Sequence, residues 1–207
     1  MPDYCSSPQS STAGGILVLH AWWGLNDFQR TLSDRLAAEG FAVMVPDLCD
    51  GAVARTLSDA KKLRRTIMRP ATSRHILQAL RRLRSRVAPG RVGILGFSVG
   101  AYWGLWLAEA LPRSVAATIL FYSTRTGRYG CSQSAFMGHF AEQDEYVSES
   151  GRQRLERSLR TSGKFVQFFV YPETRHWFFD ADRPEYDHQA AALAWSRSVV
   201  EFHQKIG

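Results

Sequence analysis

The sequence predicts an α/β fold: a mostly parallel central sheet with helices on both faces. Three observations carry that prediction. Short aliphatic runs of strand length alternate with segments of helical spacing, the pattern of a parallel sheet covered on both sides. With 207 residues, 45% of them hydrophobic and 12% aromatic, the chain can fill a sizeable single core, which excludes disordered and collagen-like classes. The longest apolar runs, Ile16–Leu19 and Val115–Tyr122, are strand-sized and fall well short of the ~20 residues of a membrane helix.

Residues 1–14 are polar and are expected to form an N-terminal segment ahead of one domain spanning 15–207. They have neither the basic start nor the apolar stretch of a signal peptide. Ile16–His20 then reads as a buried strand. Asp27–Glu39 follows with Phe28, Leu32 and Leu36 at helical spacing, and Gly40 is a helix stop signal. Phe41–Val45 is a second strand, ended by Pro46. Thr72–Val87 sets Ile76, Leu80, Leu83 and Val87 on one face and Arg81, Arg82 and Ser85 on the other, an amphipathic helix. Pro89-Gly90 turns the chain into a third strand, Val92–Gly96. Val99–Ala110 is apolar nearly all round and predicts a buried helix. Three further strands read as Val115–Tyr122, Ala135–Phe140 and Phe165–Tyr171, with helices at Ser150–Thr161 and His188–Gln204.

Sites in such sheets lie beyond the carboxyl ends of the strands, so the residues there carry the functional reading. The third strand runs into Gly96-Phe97-Ser98-Val99-Gly100 and directly into a helix, the G-x-S-x-G nucleophile elbow in the strand–turn–helix context it requires. Ser98 would stand at the helix N-terminus, where backbone N–H groups can stabilise an oxyanion. A serine there needs a base and an orienting acid, in the order Ser, Asp or Glu, His. His176 follows Phe165–Tyr171 and Asp144 follows the strand ending at Phe140; both occupy strand ends. Glu142 and Glu145 stand as fallbacks for the acid. His20 and His139 read as hydrogen-bonded structural histidines, His75, His188 and His203 as solvated ones, and Asp47 as a turn residue. The second oxyanion donor belongs on the loop after an early strand, here His20-Ala21-Trp22-Trp23-Gly24. The expected donors are therefore the backbone N–H groups of Trp22 and Val99. Trp22 and Trp23 are candidates to wall the acyl pocket.

These residues resemble the dienelactone hydrolase family of α/β-hydrolases. The resemblance rests on L-V-L-H-A-W-W-G-L-N, E-G-F-A-V-M-V-P-D-L, G-F-S-V-G, G-H-F-A-E-Q-D-E-Y-V and Y-P-E-T-R-H-W-F-F followed by D-R-P-E-Y-D, from about Gly15 to Phe202. It implies an α/β-hydrolase fold without a lid domain, cleavage of esters or lactones without cofactor or metal, and Ser98, Asp144 and His176 as nucleophile, acid and base. Departures bear on substrate. Typical members have Cys where this chain has Ser98 and Glu where it has Ala21, a paired change that implies a plain serine triad. A substrate-binding arginine of the family falls on Asp180, whose acid is expected to repel a carboxylate. Trp177 replaces the usual glycine after the histidine and is expected to narrow the pocket.

The formal charge is +7, but Lys61 to Arg91 holds eleven basic residues and no acid, leaving the remainder at −4. The stretch is expected to be a solvated helical face, with a polyanion-binding surface on a non-catalytic fold as the alternative. No nucleic-acid motif accompanies it, and neither a nucleic acid nor a membrane is expected as partner. Thioester hydrolysis or acyl transfer by the same residues stays open. Cys5, Cys49 and Cys131, odd in number and far apart, point to a reducing cytoplasm.

Overall fold

A computed structural model describes residues 3–9, 12–88 and 92–207. The elements run in the order β1 (Tyr4–Ser6), β2 (Gly14–Leu19), α1 (Asp27–Ala38), β3 (Phe41–Val45), α2 (Leu57–Ile67), α3 (Pro70–Arg84), β4 (Val92–Phe97), α4 (Val99–Ala110), β5 (Ala117–Phe121), β6 (Ala135–Ala141), α5 (Glu149–Thr161), β7 (Val166–Tyr171) and α6 (His188–Ile206). The strands form one sheet in the order β1-β3-β2-β4-β5-β6-β7, parallel except for β1, which pairs antiparallel with β3 through Tyr4↔Val45. The predicted Pro89-Gly90 turn lies outside the described residues.

Local chemistry sets the helix boundaries. Asn26, Thr56, Ser148 and Asp187 each accept a backbone N–H from the first turn of α1, α2, α5 and α6, the usual N-cap bond. Pro70 opens α3, where its missing N–H costs nothing. Gly40 takes a φ of +94° just past α1, a conformation that would strain any side-chain-bearing residue.

Two helical layers cover the sheet. The Gly15 face of β2 receives Leu83 of α3, and α4 sets Gly104 against Ile94 on the same side. Leu155 and Leu159 of α5 join Leu105 of α4 and Phe136 there. On the other side Phe202 of α6 lies against Gly93, and Phe28 of α1 meets Phe97 edge-on. β2 to β6 are buried along their whole length, as strands covered on both faces must be.

Two elements differ from the sequence reading. The polar start contributes a sheet strand, because Asp3 ties it down: its carboxylate lies 2.7 Å from His75 Nε2 and 3.2 Å from an Arg82 nitrogen. His75 is thus tied to a partner instead of facing solvent alone. The second difference is α2, a separate helix for which the sequence reading names no element of its own; it buries only Ala60 and Ile67.

The chain direction reverses between β2 and β4: from β2 the chain steps outward to β3, and from β4 the succession continues the opposite way. Loops diverge at such a switch point and leave a crevice beyond the strand ends. Trp22 follows β2 there and Ser98 follows β4.

Candidate active site

Ser98 makes the whole turn between β4 and α4, with φ 51° and ψ −116°, a conformation sparsely populated by non-glycine residues. Its neighbours explain why the chain tolerates it. A Cβ on Gly96 would lie 2.5 Å from Ala101 Cα, and one on Gly100 would run into the Leu19 carbonyl oxygen. Both glycines are therefore required by close backbone approach. The Ser98 N–H donates to the Phe121 carbonyl at 3.0 Å and fixes the turn on β5.

Ser98 Oγ lies 3.0 Å from His176 Nε2, and His176 Nδ1 lies 2.8 Å from both oxygens of Asp144. The carboxylate can only accept, so Nδ1 carries the hydrogen and Nε2 is left to accept the serine proton. Asp144 Oδ1 also accepts the Tyr146 and Val147 N–H groups at 2.8 and 2.9 Å, which orients the acid independently of the histidine. The Asp144 and His176 side chains are almost wholly buried, at 2% and 3% exposure, so water competes little for their bond. The imidazole is walled by Tyr122, Tyr146 and Trp177, with ring centroids 4.6, 4.7 and 4.3 Å away.

Among the described residues, the Trp22 and Val99 backbone N–H groups have no acceptor, and they stand on the two loops that meet at the switch point. His20 braces the first loop. Its Nδ1 donates to the Ala21 carbonyl at 2.7 Å and its Nε2 accepts the Leu48 N–H at 3.0 Å. Burial pushes its pKa below the ordinary histidine value, so the ring stays neutral and makes both bonds. His139 is likewise structural, between the Tyr171 and Ser198 hydroxyls at 2.8 and 3.1 Å, and burial pushes it down to about 3. His188 and His203 are exposed, and Asp47 caps its own turn by accepting the Cys49 and Gly51 N–H groups.

Ser98 and His176 open into a cavity of about 510 Å3, walled by Trp22, Tyr102, Tyr122 and Tyr146 and, along α2, by Lys61, Arg64, Arg65 and Met68. Two sequence expectations change here. Trp23 and Trp177 do not line the cavity: both are buried, and their rings pack behind Trp22 at 6.2 and 5.8 Å, with the Arg183 guanidinium 4.1 Å from the Trp23 ring. Asp180 does not face it either. Its carboxyl is buried, accepts the Asp182 N–H at 3.0 Å, and is pushed up to about 6 by desolvation. The basic stretch is a solvent face as expected: its described lysines and arginines are exposed, and Lys61, Arg64 and Arg65 of that face also border the cavity.

Sequence reasoning missed Tyr122, Tyr146 and the α2 cations as wall residues. Tyr122 was accessible to the strand-end rule, since it directly follows β5; it takes a φ of +41°. Among the described residues, no group of three or more His, Cys, Asp or Glu side chains is arranged to hold a metal ion, and no helix is long and apolar enough to cross a membrane.

The sheet order, with a serine turn at its centre, defines an α/β-hydrolase. The family model for the dienelactone hydrolase family matches residues 1–206. A chain from Aquifex aeolicus with the provisional name carboxymethylenebutenolidase is 29% identical over 201 residues, covering 90% of this chain and 86% of the relative. One from Bradyrhizobium sp, provisionally named a 2-oxo-3-(5-oxofuran-2-ylidene)propanoate lactonase, is 23% identical and covers 89% of this chain and 81% of its own. Among solved structures, a dienelactone hydrolase-like promiscuous phosphotriesterase from metagenomic libraries superposes with a TM-score of 0.82 at 22% identity, covering 100% of both chains. This chain belongs to the dienelactone hydrolase family, a family of carboxylic ester hydrolases.

Proposed function

We propose that the chain hydrolyses a small carboxylic ester or lactone through an acyl-enzyme on Ser98. The observation that carries this reading is the unbroken hydrogen-bond chain Ser98–His176–Asp144 at the switch point of the sheet. His176 Nε2 takes the Ser98 proton as Oγ attacks the carbonyl carbon, and the Trp22 and Val99 N–H groups receive the oxyanion. His176 then returns the proton to the leaving alkoxide, and in the second half it activates the water that releases the acid. Asp144 holds Nδ1–H toward itself and stabilises the imidazolium in each half. The lactonase and carboxymethylenebutenolidase names of relatives support the lactone class. The reading requires no cofactor, and three cysteines without metal-ligand spacing fit a cytoplasmic setting.

Ser98→Ala is expected to abolish turnover of a short p-nitrophenyl ester, and a fluorophosphonate probe is expected to label wild-type Ser98. An unlabelled serine, or undiminished activity in the variant, overturns the reading; a wild type that neither labels nor turns over ester leaves a binding module on a hydrolase fold.

A further inference from the structure

Ester cleavage by Ser98 makes no use of the cations on α2. Lys61, Arg64 and Arg65 occupy positions i, i+3 and i+4 of that helix, one face, and all three line the cavity that holds Ser98. The adjoining flank of the helix fixes this rotation: Ala60 and Ile67 are buried, and Trp103 Nε1 donates to the Ile67 carbonyl at 3.0 Å. Two cations of the same stretch are paired, Lys62 with Asp59 at 3.0 Å and Arg82 with Asp3 at 3.2 Å. Among the described residues, Lys61, Arg64 and Arg65 have no such partner. Among the described residues no Asp or Glu lines the cavity, and the Asp144 carboxylate is turned onto His176.

Three like charges on one wall repel one another, and a neutral ester gives no relief. A carboxylate brings two oxygens and a single negative charge to three cations. A phosphate monoester offers three terminal oxygens and roughly −1.5 to −2 of charge, which matches one ammonium and two guanidinium groups. We propose that the substrate is a phosphorylated ester or lactone, its phosphate monoester held by Lys61, Arg64 and Arg65 while Ser98 attacks the carbonyl. The phosphate is a handle: no P–O bond breaks, and the only bonds exchanged are those at the carbonyl carbon. The proposal rests on the hydrolase reading above.

The test uses matched esters that end in a methyl, a carboxylate or a phosphate monoester, placed on the acyl side in one set and the alcohol side in another. In one of the two sets the phosphate ester is expected to exceed the carboxylate ester about tenfold in kcat/KM, mainly through KM. That ratio should fall about tenfold or more in the variant carrying Lys61→Gln, Arg64→Gln and Arg65→Gln, and hold in a variant carrying Arg81→Gln and Arg86→Gln. A carboxylate or neutral ester that matches the phosphate ester in both sets, or a ratio that survives the triple substitution, overturns the proposal. Calorimetry with phenyl phosphate on Ser98→Ala reads the subsite without turnover, so the two readings fail separately. Phosphate bound by Ser98→Ala and lost on adding the triple substitution supports the subsite even where no ester is cleaved; no binding at all overturns it.

Discussion

Gly100 sits so close to the Leu19 carbonyl oxygen that a single added methyl would overlap it. The helix after the candidate nucleophile is thus seated directly on the strand that leads to Trp22, and the two loops of the site move as one body. Gly100→Ala must push α4 off β2. Thermal and urea denaturation are expected to show a loss of about 1–3 kcal/mol, the range for overpacking. The surviving folded fraction should show a lowered kcat, because the Val99 N–H moves with the helix.

Asp144→Asn separates orientation from folding. An amide oxygen can still accept the Tyr146 and Val147 N–H groups, so the loop keeps its form. The amide nitrogen, however, replaces an oxygen that faces His176 Nδ1 at 2.8 Å. Loss of the correct tautomer costs about 10⁴ in turnover in serine triads, and a comparable fall in kcat is expected here. The melting temperature should stay near that of the wild type. A parallel fall in both would mean that the acid serves the fold.

Asp180 gives a pH signature of opposite sign to an ordinary ion-paired acid. Burial raises its folded pKa to about 6, above the usual carboxylate value, so the folded state holds the proton more tightly than the unfolded one. Its contribution is therefore favourable at low pH and is lost as pH rises from about 4 through 6. Asp180→Asn keeps an acceptor for the Asp182 N–H and removes the charge. It is expected to raise stability by about 2 kcal/mol at pH 7 to 8 and to give no gain near pH 4, read from urea midpoints.

His139 works the other way. Its folded pKa near 3 lies below the unfolded value, so its contribution is present above about pH 6.5 and is lost as pH falls toward 3. His139→Gln is expected to be less stable at pH 7, where the Tyr171 and Ser198 hydroxyls lose a well-placed partner. Between pH 6.5 and 4 its urea midpoint should fall less steeply than that of the wild type. Equal slopes would show that other groups set the acid limit.

The sheet could be read from the sequence because its strands are buried on both faces and carry unbroken apolar runs. Ser98, Asp144 and His176 could be chosen because each stands where a run stops. The structure brings those three within hydrogen-bond distance. α2 was illegible for a physical reason: a helix on the rim that buries Ala60 and Ile67 alone leaves almost no apolar period. Its charges were therefore assigned with those of α3, whose periodicity is plain, and the cavity wall went unnoticed. Trp23 and Trp177 were misplaced because composition cannot tell a wall from the layer behind it; only Trp22 stands in front. β1 is three residues long and polar, too short for any pattern.

That short strand has a consequence for the molecule in crowded solution. β3 is five buried aliphatic and aromatic residues, and without Tyr4–Ser6 its outer hydrogen-bonding rim would be open to the β3 of another copy. Asp3, clasped by His75 and Arg82, is the latch that keeps the rim shut. Loosening it need not touch Ser98 at all. The damage would be social before it was chemical: molecules lost to one another by strand pairing, with the reaction centre of each still intact.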